Sequence, residues 1–267
     1  MTSLLDFLYD LFKNGNLGYS SLGTARSAIS QVATIDGEPA GKHELVTKFM
    51  KSVFQSRPAL PRNQTRWDPD IVLKFIEKLG PNEEIPTLML SKKLTMLLLL
   101  QSGQRGQTIH LLDIRNMSLT DTRASFRIRD LLKTSRPGHH LSEVSFDAFI
   151  PNSRLCVVTT LRDYLARTQE VRGNTTSLLL TSRTPVRPAS RDTIRRWTRD
   201  IMKYSGIDVS IFAPHSTRGA SCGKAKLVLP IDTIIDTIGW SKDSVFRKFY
   251  DKPLCQKSLF SSVVMEM

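Results

Sequence analysis

The sequence predicts a mainly α-helical fold with a small antiparallel β-sheet, which places it in the α+β class. Over most of the chain, apolar residues recur three or four positions apart, the spacing typical of amphipathic helices. Residues 116–149 instead contain short β-type segments separated by turn residues. A basic, proline-rich segment at residues 57–67 separates a helical N-terminal part from the rest, so we predict two domains joined by a linker.

Length and composition indicate a basic globular protein. The 267 residues suffice for one large domain or two smaller ones, and 40% of them are hydrophobic and 24% charged. A net charge of +13 and a pI of about 9.9 favour a polyanionic partner, either nucleic acid or an anionic membrane surface. No apolar run reaches the length of a membrane span, so we expect no membrane insertion.

The cysteines argue against disulfide or zinc chemistry. Cys156, Cys222 and Cys255 are odd in number and far apart, without a C-x-x-C pair or a histidine at ligand spacing. We therefore expect a reducing intracellular compartment, which is the nucleus if the source is eukaryotic. The chain also lacks a phosphate-binding loop, a dinucleotide glycine motif and an acidic cluster for two Mg²⁺ ions, so we expect no metal site and no cofactor.

Residues 1–56 are expected to form a small helical domain. A first helix with apolar residues at helical spacing ends at Asn14-Gly15-Asn16, and two more are predicted near residues 20–33 and 42–54. This segment holds five Lys/Arg and five Asp/Glu, so the whole net charge of +13 lies after residue 56.

The stretch from residue 57 to residue 67 is interpreted as an extended linker. Pro58 and Pro61 disfavour a helix and lack backbone N–H donors, and basic residues surround them. A long surface loop within a single domain is the alternative interpretation. We place the second domain at residues 68–267.

The second domain is predicted to alternate helices with a β region. Helices are expected at residues 69–79, 91–101 and 154–171, and strands at residues 116–120, 124–134 and 142–149. A short apolar strand is expected at residues 177–181.

A further helix after Ser190 would carry a stripe of positive charge. Ser190 is a suitable N-cap, and Gly206 is a suitable terminator. Arg191, Arg195 and Arg199 are four residues apart and would share one face, opposite the apolar residues Ile194, Trp197 and Ile201. A solvated surface explains such a stripe, but in a basic domain we favour contact with DNA phosphates or entry into a groove.

The C-terminal part contains an ordered set of polar and aromatic residues. His215 and Arg218 form a His-x-x-Arg pair, Trp240 follows 22 residues later, and Tyr250 follows ten residues after that. This order and spacing resemble the signature of the tyrosine recombinases, the phage-integrase family. The surrounding segments, HSTRGASCGKA and GWSKDSVFRKFYDKP, look most like the recombinases of DIRS-type retroelements.

Two upstream residues match the same family. Arg105 follows a glycine-containing helix break, where the family places its first catalytic arginine, and Lys133 lies near a predicted hairpin tip, where the family places its catalytic lysine. One position departs from the pattern. The family usually has an acidic residue three positions after this arginine, whereas this chain has Thr108, which accepts a hydrogen bond but carries no charge.

The resemblance implies metal-independent phosphoryl transfer. Tyr250 would attack the phosphodiester and leave a 3′-phosphotyrosyl bond and a free 5′-hydroxyl. His215 would transfer protons, Arg105 and Arg218 would bind the non-bridging oxygens, and Lys133 would protonate the leaving oxygen. Trp240 would donate its indole N–H to the phosphate and pack against the helix that carries Tyr250.

The resemblance also implies an architecture and partners. It implies a helical core-binding domain at residues 1–56, a mainly α catalytic domain, and a homo-tetramer assembled on two sites in double-stranded DNA. We therefore expect a site-specific recombinase or integrase of a mobile element. A domesticated, catalytically inactive DNA-binding protein is the main alternative, and a topoisomerase-like enzyme with the same catalytic residues is the second.

Overall fold

The computed structural model describes residues 2–58 and 65–240, together with Ser244, Phe246, Arg247 and Tyr250. The chain divides into two compact units, Met1–Arg62 and Asn63–Met267. This boundary lies within the segment interpreted as a linker. The described end of that segment differs from the prediction, because Arg66 and Trp67 are buried and the Trp67 ring belongs to the core of the second unit. Over the described residues, no helix is long and apolar enough to cross a membrane.

The first unit is a three-helix domain over the residues that are described. Its helices are α1 (Thr2–Lys13), α2 (Tyr19–Ser30) and α3 (Glu44–Ser56). A two-residue hairpin, β1 (Thr34–Ile35) and β2 (Glu38–Pro39), was not predicted; it follows from the Asp36-Gly37 turn, where both residues have positive φ. The three helices bury a small apolar core made of Leu8, Leu22, Val46, Met50 and Val53.

The second unit is organised around one buried helix. After α4 (Pro69–Lys78), the helix α5 (Thr87–Ser102) has twelve buried residues, including the apolar run from Met96 to Leu100. A helix with buried residues on every side is covered by other elements all round. It packs against α7 (Val157–Arg172), α8 (Arg191–Tyr204) and α9 (Thr217–Ala225).

The β region forms a three-stranded antiparallel sheet. The strands are β3 (Met117–Leu119), β4 (Arg123–Arg127) and β5 (Glu143–Asp147), in the order β3-β4-β5. Ala124 and Phe126 on β4 face Phe146 and Val144 on β5, and all four are buried, which is the alternation expected for a sheet covered on one face. β4 ends at Arg127 rather than at residue 134, because the charged pair Arg129-Asp130 interrupts the alternation. The fold class predicted from the sequence is confirmed.

The apolar segment at residues 177–181 is not a continuous strand. It makes single-residue bridges from Ser177 to Asp113 and from Leu180 to Pro188. Pro185 and Pro188 have no N–H to donate, so the ladder beside this segment cannot continue. The buried guanidinium of Arg172 instead fixes the segment by donating to the carbonyl oxygens of Ser177 and Leu178 at 2.5 and 3.1 Å.

The C-terminal part of the second unit places α9, α10 (Ile231–Ile238) and Tyr250 close to one another. Cys222 of α9, three isoleucines of α10, Trp240 and Phe246 form a second buried apolar cluster against which Tyr250 packs. The Tyr250 N–H donates to the Phe246 carbonyl at 2.7 Å, as in a helical turn. Ser241, the predicted cap of this turn, and Phe249, expected to pack inward, lie outside the described residues.

Candidate active site

Arg105 lies in the break between two helices. α5 ends at Ser102 because Gly103 adopts the left-handed conformation, with φ of 60°, and donates its N–H to Leu99 at 3.1 Å. The chain then starts α6 (Gly106–His110), a short helix that the sequence analysis did not predict, with Arg105 at its N-cap position. The break thus presents the half-buried Arg105 side chain at the end of the central helix.

His215 and Arg218 lie on either side of a helix start. His215 belongs to a 3₁₀ turn, Pro214–Ser216, and is exposed, whereas Arg218 lies in the first turn of α9 and is only 3% exposed. Trp67 fixes this turn by donating its indole N–H to the Ser216 hydroxyl at 2.8 Å. The sequence analysis missed this role of Trp67, because the proline-rich composition around it favoured a linker.

One cavity of about 590 Å³ joins most of the predicted residues. Arg105 and Arg218 line it, and so do His215 and Tyr250. The three arginines of the α8 stripe line the same cavity, so one concave surface combines positive charge, an imidazole and a phenol. The α8 residues at this surface are Arg191, Arg195 and Arg199.

The Arg218 guanidinium is buried with unused donors. Among the described residues, its Nε and Nη2 atoms have no hydrogen-bond partner. Burial, followed by the positive charge of Arg105, lowers the pKa of Arg218 to about 10, so it remains charged at neutral pH. A buried, charged group without partners is costly, and an oxyanion in the cavity would supply the missing acceptors.

Trp240 lies beside this guanidinium, although it is not among the described residues that line the cavity. The Arg218 Cζ atom lies 4.7 Å from the centre of the Trp240 ring, and the Tyr250 ring centre lies 4.7 Å from that of Trp240. The indole ring therefore contacts both the arginine and the tyrosine. Its own Nε1 atom is buried and has no partner among the described residues, which leaves this N–H available to an acceptor.

Helix α8 forms as predicted and separates two basic cavities. The Ser190 hydroxyl accepts from the Thr193 N–H at 3.1 Å, while Ile194, Trp197 and Ile201 are buried. Arg199 lines both the cavity described above and a second one of about 640 Å³. The second cavity is bordered by further basic residues that the sequence analysis did not single out, namely Lys92, Arg183, Arg187 and Arg196.

Two predicted features stand apart from the main cavity. Lys133 is exposed in the connection between β4 and β5 and is not among the described residues that line the cavity. Thr108, at the position where an acidic residue was expected, is buried in α6. Gln104, which the sequence analysis did not consider, lines the cavity next to Arg105 and is buried.

Solved structures with the same fold are tyrosine recombinases, although no family model and no curated protein matches the sequence. The XerH recombinase bound to difH substrate, in a pre-cleavage complex, matches with a TM-score of 0.62 and 14% identity over 100% of this chain and 69% of its own. A lambda integrase dimer bound to a COC′ core site matches with a TM-score of 0.53 and 18% identity over 94% of this chain and 64% of its own.

A transposon enzyme shows the same likeness. The Tn1549 transposon integrase in complex with circular intermediate DNA matches with a TM-score of 0.54 and 13% identity, over 98% of this chain and 82% of its own. At these identities the matches establish the fold alone. The chain therefore has the fold of the tyrosine recombinases, in agreement with the resemblance found in its C-terminal motif.

Proposed function

We propose that this chain is a site-specific DNA recombinase or integrase that breaks and rejoins DNA through a 3′-phosphotyrosyl intermediate. The observation that carries the proposal is the buried guanidinium of Arg218, which lines a cavity with Arg105, His215 and Tyr250 and has two donors without a partner among the described residues. A phosphodiester would pair these donors and bring its phosphorus to the phenol. The recombinase fold and the DNA in the neighbouring complexes support this substrate.

Each residue would take one role in the transfer. The Tyr250 oxygen would form a bond to phosphorus and lose its proton to His215, while the bond from phosphorus to the 5′-oxygen breaks. Lys133 would give its proton to the departing 5′-oxygen, which leaves as a hydroxyl. Arg105, Arg218 and the Trp240 N–H would stabilise the charge that develops on the non-bridging oxygens.

The reverse reaction would rejoin DNA without an external energy source. The phosphotyrosyl bond conserves the phosphodiester bond, so a 5′-hydroxyl from another strand can attack phosphorus and release Tyr250. Lys133 would then accept the proton of the attacking hydroxyl, and His215 would return a proton to the phenol.

The DNA duplex would lie along the basic face of the second unit. The α8 arginines line the active-site cavity, and the second cavity continues the positive surface from Arg199 toward Arg183 and Arg187. Arginines contact phosphates regardless of sequence and set the register of the duplex. The helical first unit would contact DNA as the core-binding domain that the resemblance implies.

The biological setting is part of the proposal. The resemblance to DIRS-type recombinases favours a role in the integration of a transposable element, in the nucleus if the source is eukaryotic. We propose that the chain acts as a tetramer on two DNA sites, which the lambda integrase tetramer bound to a Holliday junction supports by analogy of fold.

A catalytically inactive DNA-binding protein is the second candidate. Thr108 favours it, because this buried residue carries no charge to orient the first arginine. The joint presence of Arg105, His215, Arg218 and Tyr250 at one cavity favours the enzyme, because DNA binding alone does not require a phenol beside two arginines.

A nicked suicide substrate separates these candidates. Duplexes made from the terminal repeats that flank the gene would lose the short 5′-hydroxyl strand after cleavage and trap the covalent adduct. The wild-type chain should form this adduct, and Tyr250→Phe should bind the same duplex with similar affinity and form none. If wild type binds these duplexes but forms no adduct, the binding-protein candidate is correct. An adduct that persists in Tyr250→Phe would place the nucleophile elsewhere.

A further inference from the structure

The helix before Trp240 ends in a glycine cap. Gly239 has φ of 73° and donates its N–H to Asp236 at 3.1 Å, while the Trp240 N–H donates to Ile235 at 3.0 Å. These two bonds form the glycine cap that satisfies two of the four last carbonyls of α10. The carbonyls of Thr237 and Ile238 remain, and the helix itself has no donor for them.

Gln104 supplies the missing donors from another element. Its buried side-chain amide lies 3.3 Å from the Thr237 carbonyl oxygen and 3.3 Å from that of Ile238, so each N–H can serve one acceptor. Gly103 brings the backbone close, since a Cβ at this position would approach the Ile238 side chain to 3.1 Å. The break that carries Arg105 is thereby bonded to the end of α10.

We propose that Gln104 is a positioning residue that acts through Trp240. Trp240 is the residue whose N–H completes the cap of α10, so the direction of its side chain depends on where this helix ends. Its ring contacts the Arg218 guanidinium at 4.7 Å and the Tyr250 ring at 4.7 Å. The Gln104 amide thus connects the helix break that carries Arg105 to the end of α10. Through Trp240 this connection reaches Arg218 and Tyr250.

A second side chain contacts the same backbone segment. The His139 Nε2 atom lies 3.2 Å from the Gly239 carbonyl oxygen, and since a carbonyl only accepts, this nitrogen carries the proton. A Cβ on Gly239 would meet Leu141 at 3.2 Å, so the segment between β4 and β5 packs closely against the cap. With His139 in place, loss of Gln104 should shift Trp240 without releasing α10 entirely.

The test combines Gln104→Met with a matched control. Methionine keeps the length and unbranched shape of the side chain but cannot donate. Gln101→Met removes an exposed amide bond three residues earlier in the chain, because the Gln101 amide donates to the Leu155 carbonyl at 2.8 Å and not to a carbonyl of α10. Both variants would be made in the full chain labelled with 5-fluorotryptophan, which gives three ¹⁹F resonances, and Trp240→Phe identifies the one that belongs to Trp240.

The ¹⁹F spectrum decides the positioning role without any cleavage assay. In Gln104→Met the Trp240 resonance should move by more than its linewidth while those of Trp67 and Trp197 stay in place, and Gln101→Met should move none of them. An unmoved Trp240 resonance would overturn the proposal, because it would show that Gln104 does not position Trp240. Equal shifts of all three resonances would also overturn it, because they would indicate a general loosening of the fold.

The catalytic part of the inference rests on the proposed function. Gln104→Met should slow single-turnover adduct formation about tenfold, as expected for the loss of two buried hydrogen bonds, with DNA affinity little changed. In a Trp240→Ala chain the same change should alter the rate less than about twofold. An equal, additive loss in both chains would overturn the route through Trp240. A wild-type chain without adducts would refute the proposed function, while the ¹⁹F result would still decide where Gln104 acts.

Discussion

The Arg218 guanidinium carbon lies 4.7 Å from the centre of the Trp240 ring and 5.8 Å from the centre of the Tyr250 ring, so Trp240 is the nearer of two aromatic rings beside this buried cation. The indole attracts the cation and also excludes water from it. Exclusion of water lowers the pKa of Arg218 to about 10 and leaves two of its nitrogens without acceptors in the described residues. The site therefore favours the binding of an anion, and the buried charge of Arg218 lowers the stability of the protein without that anion.

A first prediction compares two buried arginines. Arg172 donates to Thr168 and to the carbonyls of Ser177 and Leu178, whereas the Nε and Nη2 atoms of Arg218 have no described partner. Arg172→Met should lower the free energy of unfolding by about 3–5 kcal/mol, because carbonyls lose their charged donor. Arg218→Met should leave the free energy of unfolding unchanged or raise it, because a desolvated charge disappears.

The Arg172→Met and Arg218→Met variants also separate an effect on stability from an effect on activity. Arg218→Met should reduce adduct formation by at least about a hundredfold, as for other groups that stabilise developing charge. Arg172→Met, assayed below its melting temperature, should retain near-wild-type rates. Urea denaturation and single-turnover cleavage measure the two properties. A strongly destabilised Arg218→Met chain would show that this arginine is a structural group.

A second prediction concerns the arginine stripe of α8. Changing Arg191, Arg195 and Arg199 together to Gln should weaken binding to duplex DNA and flatten its dependence on salt. Each phosphate contact that is lost lowers the slope of log K against log salt by about 0.9. Filter binding or fluorescence anisotropy between low and moderate salt measures this slope.

The control removes the same charge from three arginines that line neither basic cavity and are each ion-paired with an aspartate. Arg115, Arg123 and Arg162 bind Asp113, Asp147 and Asp121 at 2.8, 3.1 and 2.8 Å. Their triple change to Gln keeps the net charge equal to that of the α8 variant. Equal slopes for both triple variants would mean that only total charge matters and that the stripe is a solvated surface.

A third prediction uses a buried lysine of α5, Lys93. The Lys93 side chain is fully buried and donates to the Asn82 side-chain oxygen at 2.8 Å. Burial lowers its pKa from 10.5 to about 8, an effect that attraction to Asp163 partly offsets. The unfolded chain keeps this proton up to a higher pH than the folded chain does. The contribution of Lys93 to the free energy of unfolding should therefore rise between pH 8 and 10.5, by at most about 3 kcal/mol. Below pH 8 this contribution should not change with pH.

Denaturation at a series of pH values tests this sign. Lys93→Met should remove the rise seen in wild type, while Lys74→Met, a change at an exposed lysine of α4, should preserve it. Comparison of the two variants cancels the titration of other groups. A wild-type curve parallel to that of Lys93→Met would show that the folded protein binds the Lys93 proton as tightly as the unfolded chain does.

The sequence was informative where local patterns determine structure. Ser190 caps α8 as predicted, and Ile194 and Trp197 are buried as their spacing indicated, because an amphipathic helix encodes both its start and its inner face. The short motif around His215 and Arg218 correctly indicated a recombinase fold, which the similar structures confirm.

The contacts between distant segments could not be predicted in this way. Trp67 bonds to Ser216, and Gln104 bonds to the end of α10, 149 and more than 130 residues away in the chain. Nothing in the local spacing of either residue marks its partner. The end of β4 was also misplaced, because the exposed charged pair Arg129-Asp130 interrupts the alternation beyond Arg127.

The last prediction concerns Lys133, which the structure leaves exposed between β4 and β5 and outside the lining of the cavity. If it is the general acid, it must approach the leaving oxygen when DNA is bound, and Lys133→Ala should cleave normal DNA slowly. A phosphorothiolate substrate, with sulfur in place of the bridging 5′-oxygen, has a leaving group that departs without protonation. This substrate should therefore be cleaved by Lys133→Ala at close to the wild-type rate.

The comparison is informative because it isolates proton transfer from positioning. Arg129→Ala, a change at another exposed cation of the same connection, should affect both substrates equally if it affects either, since a phosphate contact is needed whatever atom leaves. Rates are measured in single turnover at saturating DNA, so that affinity does not contribute. If Lys133→Ala remains equally slow on both substrates, Lys133 positions the DNA and the proton must come from another group. Rescue by sulfur in Lys133→Ala alone would assign the proton to Lys133 and would require the β4–β5 connection to close over the cavity in the complex.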